Sequence, residues 1–141
     1  MLKNAVIHPV VPVADVTRAK TYYNDKLGLT PDMESEGLVI YRCRDSWFSL
    51  FPSMGAGTAK STAMVFLVDN LDSEMSALRS RGVVFEEYNY PELKTVNGIA
   101  EHPEGKSAWF KDSEGNTIAV TEIRSPAMLQ ALKGLMSSRS G

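Results

Sequence analysis

The strongest constraint on this 141-residue chain is that one order of elements can be read along it twice. Residues 5–13 form a valine-rich apolar run, which predicts a strand. Pro9 and Pro12 have no N–H to give a ladder, so this strand should lie at an edge or be interrupted. Asp15 is placed to cap a helix carrying Val16, Ala19, Tyr23 and Leu27 at helical spacing, and Gly28 suits its end. Residues 31–36, 38–42 and 46–51 read as three short strands. After the small-residue stretch 53–61 the order restarts. Residues 62–68 predict a strand, Asn70 a cap, and Leu71, Met75 and Leu78 one face of a helix that Gly82 ends. Residues 83–88 predict a strand and 89–105 a long polar loop. A hairpin over 106–123 completes the set, with its turn at Asp112 to Gly115.

The order is therefore β-α-β-β-β, linker, β-α-β-β-β. Each half has a sheet with one face covered by its helix and one face bare. Two such halves gain by building one curved mixed sheet around a shared concave cavity. The predicted class is α+β, with a first module over 1–52, a linker over 53–61 and a second module over 62–123. The modules form one structural unit. Residues 126–135 carry an apolar stripe that predicts a short helix, and 137–141 predict a disordered tail.

Composition excludes several classes. The net charge of −2 and the lack of any lysine or arginine run argue against nucleic acid as partner. No apolar segment is long enough to span a bilayer, and the N-terminus does not read as a signal peptide, so no membrane partner is expected. Cys43 is the only cysteine, which rules out an internal disulfide and fits a cytoplasmic protein. It has no evident activating neighbour and reads as inert.

Three stretches resemble one family. They are VPVADVTRAKTYYNDKLGL from Val11 to Leu29, VFLVDNLD from Val65 to Asp72, and WFKDSEGN from Trp109 to Asn116. In this order and spacing they are similar to the vicinal oxygen chelate superfamily of glyoxalase I, bleomycin-resistance proteins and extradiol dioxygenases. The resemblance implies a duplicated βαβββ fold. It also implies four inward positions that hold a divalent ion in the metal-dependent members. Here these positions are His8, Ser49, Ala63 and Ala119. One imidazole, one hydroxyl and two methyl groups are a poor donor set for zinc or a harder ion. No metal and no cofactor are therefore expected.

Strand alternation gives the remaining lining. His8, Trp47, Ser49, Phe51, Ala63, Val65, Thr117, Ala119 and Thr121 should face the cavity. Trp109 joins them if the hairpin has a glycine bulge at Gly115, and faces the core if it does not; Tyr88 and Tyr90 border the polar loop at the mouth and are placed to close over a ligand. The first functional reading is a metal-independent protein that sequesters or carries an aromatic or apolar molecule. The alternative is an enzyme of the same fold, a lyase, isomerase or dioxygenase-like protein, using His8 as weak metal ligand or general base. The sheet edges left by paired modules predict a homodimer.

Overall fold

A computed structural model describes residues 1–133. The first module holds β1 (Val10–Val13), α1 (Val16–Asp25), β2 (Pro31–Ser35), β3 (Leu38–Cys43) and β4 (Ser46–Pro52). The second holds β5 (Thr62–Val68), α2 (Leu71–Ser80), the short pair β6 (Asn89–Tyr90) and β7 (Leu93–Lys94), then β8 (Ala100–His102), β9 (Gly105–Lys111) and β10 (Thr117–Ile123). A short α3 (Pro126–Ala131) follows, within the stretch expected to be helical; the tail 137–141 lies outside the described residues. The strands form two four-stranded mixed sheets, ordered β1-β4-β3-β2 and β5-β10-β9-β8. In each, the first strand runs parallel to the last and the others are antiparallel. This is the duplicated βαβββ order.

Both helices start as the sequence predicts. The Asp15 carboxylate accepts from the Arg18 amide, and the Asn70 side chain accepts from the Ser73 amide. One face of the first sheet packs Val11, Leu50, Tyr41 and Phe48 against Ala19 and Tyr23 of α1. In the second, Phe110, Ile118 and Val120 pack against Leu71 and Met75 of α2. Tyr22, Leu27, Met64 and Phe66 touch both clusters, so the two halves meet through their helix-side faces. The rings of Phe48 and Phe66 make an edge contact with centroids 5.9 Å apart across this seam.

Two expectations need correction. The first strand is shorter than 5–13: it begins at Val10, directly after Pro9, which cannot donate to a ladder. The segment 83–88 is not a strand. Toward β9 it has a single bridge, Phe85 to Phe110, and the bond from the Glu86 amide to the Trp109 carbonyl. Pairing with β9 then resumes at Ala100 opposite Ser107. The missing strand is thus split by an excursion that contains β6 and β7, so the expected loop 89–105 is partly strand. Val83 and Phe85 owe their apolar character to packing on α2 rather than to a ladder.

The β9–β10 turn clasps the first module. The Asp112 carboxylate accepts from the amides of Glu114 and Asn116 and from the Tyr23 hydroxyl. The Glu114 carboxylate accepts from the amides of Ala14 and Asp15, at 3.0 and 2.9 Å, ahead of α1. It also accepts from the Arg18 guanidinium and the Ser113 hydroxyl. Asn116 donates to the Pro12 carbonyl. Gly115 has φ +85°, the positive value that the bulged turn requires.

Candidate functional site

Ladder register fixes which side chains share the face turned away from the helices. In the first sheet Val10, Ser49, Ile40 and Met33 lie in one row across all four strands. Pro12 and Phe51 form the neighbouring pair. Val10, Met33 and Phe51 are 55%, 51% and 50% exposed, so this bare face is apolar and open. In the second sheet Trp109 pairs with Ala119 and Ser107 with Thr121. The bulged hairpin is the one formed, and it puts Trp109 on the same face as Thr117, Ala119 and Thr121.

The sequence-derived lining does not gather in one cleft of a single chain. Tyr88, Trp109 and Thr117 come together in a cleft of about 610 Å³, bordered also by Tyr90, Lys111 and the linker from Gly57 to Ser61. Trp47 and Val65 line a different cleft, between the modules. His8 and Ser49 meet each other, with Nε2 3.0 Å from Oγ, on the face of the first sheet where Phe51 also lies. Ala63 is exposed on β5, and Ala119 and Thr121 are buried on β10.

The Trp109 cleft has an aromatic wall. Tyr88 meets Trp109 edge to face at 5.7 Å and stacks on Tyr90 at 6.1 Å, with the latter planes 28° apart. Burial, with Glu86 and Tyr90 adding to it, pushes the Tyr88 phenol up, so its hydroxyl is a neutral donor at physiological pH. Lys111 donates to the Thr117 hydroxyl at the cleft floor. Flat rings, hydroxyls and an ammonium group suit stacking on a planar ligand and one or two oriented polar contacts. Tyr90 borders the cleft beside Tyr88. Sequence reasoning missed Lys111 and the linker as lining: the alternation of Trp109 and Lys111 could have placed the first, and no local signal brings the linker there.

A further hydrogen-bond chain went unread. His102 Nε2 lies 2.8 Å from the Ser107 hydroxyl, which lies 2.7 Å from the Thr121 hydroxyl, and Glu104 is 3.3 Å from His102 Nδ1. The alternation Ser107, Trp109, Lys111 could have placed Ser107 on this face. Burial pushes the half-buried Cys43 thiol up, so its thiolate is not activated and it should react only slowly with thiol reagents.

The four side chains that the resemblance sets at a metal site, His8, Ser49, Ala63 and Ala119, do not make a donor set that fits an ion. His8 is bonded to a hydroxyl, and Ala63 and Ala119 offer no donor atom. Among the described residues no cluster of three or more histidine, cysteine or acidic side chains has metal-binding geometry.

Residues 5–120 match the Glyoxalase/Bleomycin resistance protein/Dioxygenase superfamily. No curated protein sequence matches the chain. Among solved structures, a bleomycin resistance determinant encoded on transposon Tn5 superposes with TM-score 0.65 at 18% identity, covering 84% of this chain and 98% of that one. TnmS3, an antibiotic binding protein from Streptomyces sp. CB03234, gives 0.62 at 23% identity, over 88% and 99%. A lactoylglutathione lyase from Agrobacterium tumefaciens gives 0.63 at 18% identity, over 84% and 93%. At these identities the likeness is one of fold. No helix among the described residues is long and apolar enough to cross a membrane.

Proposed function

Because the chain belongs to the Glyoxalase/Bleomycin resistance protein/Dioxygenase superfamily, we propose that it is a metal-independent small-molecule binding protein. It sequesters or carries an aromatic or apolar ligand in the cytoplasm. The observation that carries this reading is the aromatic wall of Tyr88, Tyr90 and Trp109 around a cleft of about 610 Å³. Pockets of a few hundred Å³ lined by rings and a few oriented polar groups suit drug-sized planar molecules. The donor set at His8, Ser49, Ala63 and Ala119 supports the metal-independent part of the reading. The relatives of this fold include an antibiotic binding protein and a bleomycin resistance determinant, and the proposed role is of their kind.

The working unit is a homodimer. The bare face of the first sheet exposes Val10, Met33 and Phe51 in adjoining positions, and a second copy of the chain would cover it.

One observation favours a second reading. The 3.0 Å contact between His8 and Ser49 orients the imidazole, as a general base requires. The two readings separate in one experiment. The wild type, Trp109→Leu and His8→Asn are titrated with a panel of aromatic antibiotics and hydroxy-ketones, with tryptophan fluorescence and product analysis by mass spectrometry. The binding reading expects quenching without turnover, affinity reduced roughly tenfold in Trp109→Leu through lost ring contact, and little change in His8→Asn, since His8 does not line the Trp109 cleft. Turnover by the wild type that His8→Asn abolishes would establish the enzyme instead.

A further inference from the structure

The clasp has an empty counterpart. In the second module the turn that joins Lys111 to Thr117 fills the space ahead of α1 with Asp112, Glu114 and Asn116. In the first module the corresponding β3–β4 turn contains only Arg44 and Asp45, between Cys43 and Ser46. It reaches the start of α2 through an ion pair of Arg44 with Asp69 at 2.9 Å. The space it does not fill is a cleft of about 520 Å³, bordered by Trp47, Met64, Val65, Asn70, Ser73 and Glu74. Cys43, Phe66, Val68 and Glu74 also line a smaller cavity of about 150 Å³. That cavity continues inward between the modules to Leu27, Leu29 and Leu78. Together they form a polar mouth with an apolar depth.

The charge at the mouth is specific. Arg44 and Asp69 neutralise each other. Three amides at the start of α2 are already used: Leu71 donates to the Glu122 carboxylate, Ser73 to the Asn70 side chain and Glu74 to the Asn70 carbonyl. They are not free to hold an anion. Glu74 has no ion-pair partner among the described residues and stands where mouth and depth join. We propose that this intermodule cleft binds a cationic amphiphile, with its alkyl or aryl chain between Leu27 and Leu78 and its protonated amine beside Glu74. The site shares no residue with the Trp109 cleft, so it stands or falls independently of the function proposed above.

Cys43 lines both parts of the cleft and serves as the reporter, since an occupant would shield its thiol. The rate at which methyl methanethiosulfonate, a thiol reagent that amines do not consume, modifies the native protein is measured against n-octylamine, octan-1-ol and octanoate, with far-UV circular dichroism recorded throughout. Octylamine should slow the modification saturably, octanol more weakly and octanoate least, with no loss of secondary structure. Glu74→Gln changes only an exposed side chain. It should lower octylamine affinity by roughly fivefold, the scale of a solvent-accessible ion pair, and leave octanol unchanged. Failure of octylamine to protect Cys43, unfolding in its place, equal protection by octanoate, or an unaltered octylamine affinity in Glu74→Gln would each overturn the proposal.

Discussion

Replacing Glu114 by glutamine should cost about 2–3 kcal/mol of stability at neutral pH, and the cost should fade in acid. The carboxylate is buried and accepts from two backbone amides, the Arg18 guanidinium and the Ser113 hydroxyl. Hydrogen bonds to a charged group contribute about 1.5–3 kcal/mol each when the alternative is an unpaired buried group. Glutamine keeps one acceptor oxygen for the amides ahead of α1 but turns a donor toward Arg18 or Ser113. Arg18 is half-exposed, so its ion pair adds only about 0.5–1 kcal/mol after solvent screening.

The acidity of Glu114 gives a second route to the magnitude. Its pKa falls from 4.5 to about 2, chiefly through the Arg18 hydrogen bond, opposed by burial and aided by the Asp15 amide. That difference corresponds to about 3 kcal/mol. Because the folded value lies below the unfolded one, the stabilisation is fully present above about pH 4.5. It is lost as pH falls toward about 2. Urea unfolding of wild type and Glu114→Gln, followed by circular dichroism across that range, isolates the contribution, because the other carboxylates are common to both chains. At neutral pH the variant should melt roughly 10 °C lower. A stability difference below about 0.5 kcal/mol, or one that does not shrink in acid, would refute the clasp as the source.

Other outcomes follow from named contacts. Tyr23→Phe removes the 2.7 Å bond to Asp112 inside the core and should cost about 1–3 kcal/mol in chemical denaturation, with the fold retained. Gly105→Ala would put a Cβ 1.9 Å from the Glu122 carbonyl oxygen, so it should destabilise by roughly 3 kcal/mol or more, read as a fall in urea midpoint. Sedimentation at micromolar concentration should find a dimer, and Phe51→Asp, a charge placed on the bare apolar face, should shift it to monomer. EDTA should leave the melting temperature unchanged, and a drop that zinc, nickel or manganese restores would contradict the metal-independent reading.

What the sequence disclosed was local or periodic. Asp15 and Asn70 announce their helices because a cap needs only its own next few residues. Gly115 announces the bulged turn, and that turn alone fixes Trp109 opposite Ala119. The element order carried the fold. The candidate site was harder, because its lining depends on how distant pieces approach. Nothing near Glu114 signals that its partners are Ala14 and Asp15. The alternation at Val83 and Phe85 reports burial on α2 and was mistaken for pairing. Parity placed Trp47, and parity together with the bulged turn Trp109, on faces turned from the helices, but parity cannot tell whether two faces look at each other. Here the halves meet through Phe48 and Phe66, and the two tryptophans line separate clefts.

The clasp also bears on the order in which the chain is completed during synthesis. Its bonds join residues 89 to 104 positions apart, between the beginning of the first module and the last turn of the second. The entropic cost of such a span is mild, since each doubling of a loop adds only about 0.6 kcal/mol. Its timing is not. When the first module leaves the ribosome, the amides ahead of α1 and the buried hydroxyl of Tyr23 still lack the partners that Asp112 and Glu114 will supply. Until the final hairpin emerges only water can satisfy those groups, and contacts of this sequence separation are among the last that a folding chain can close. A chain stopped short of residue 112 would carry an intact βαβββ sequence in its first half and still be unable to finish it.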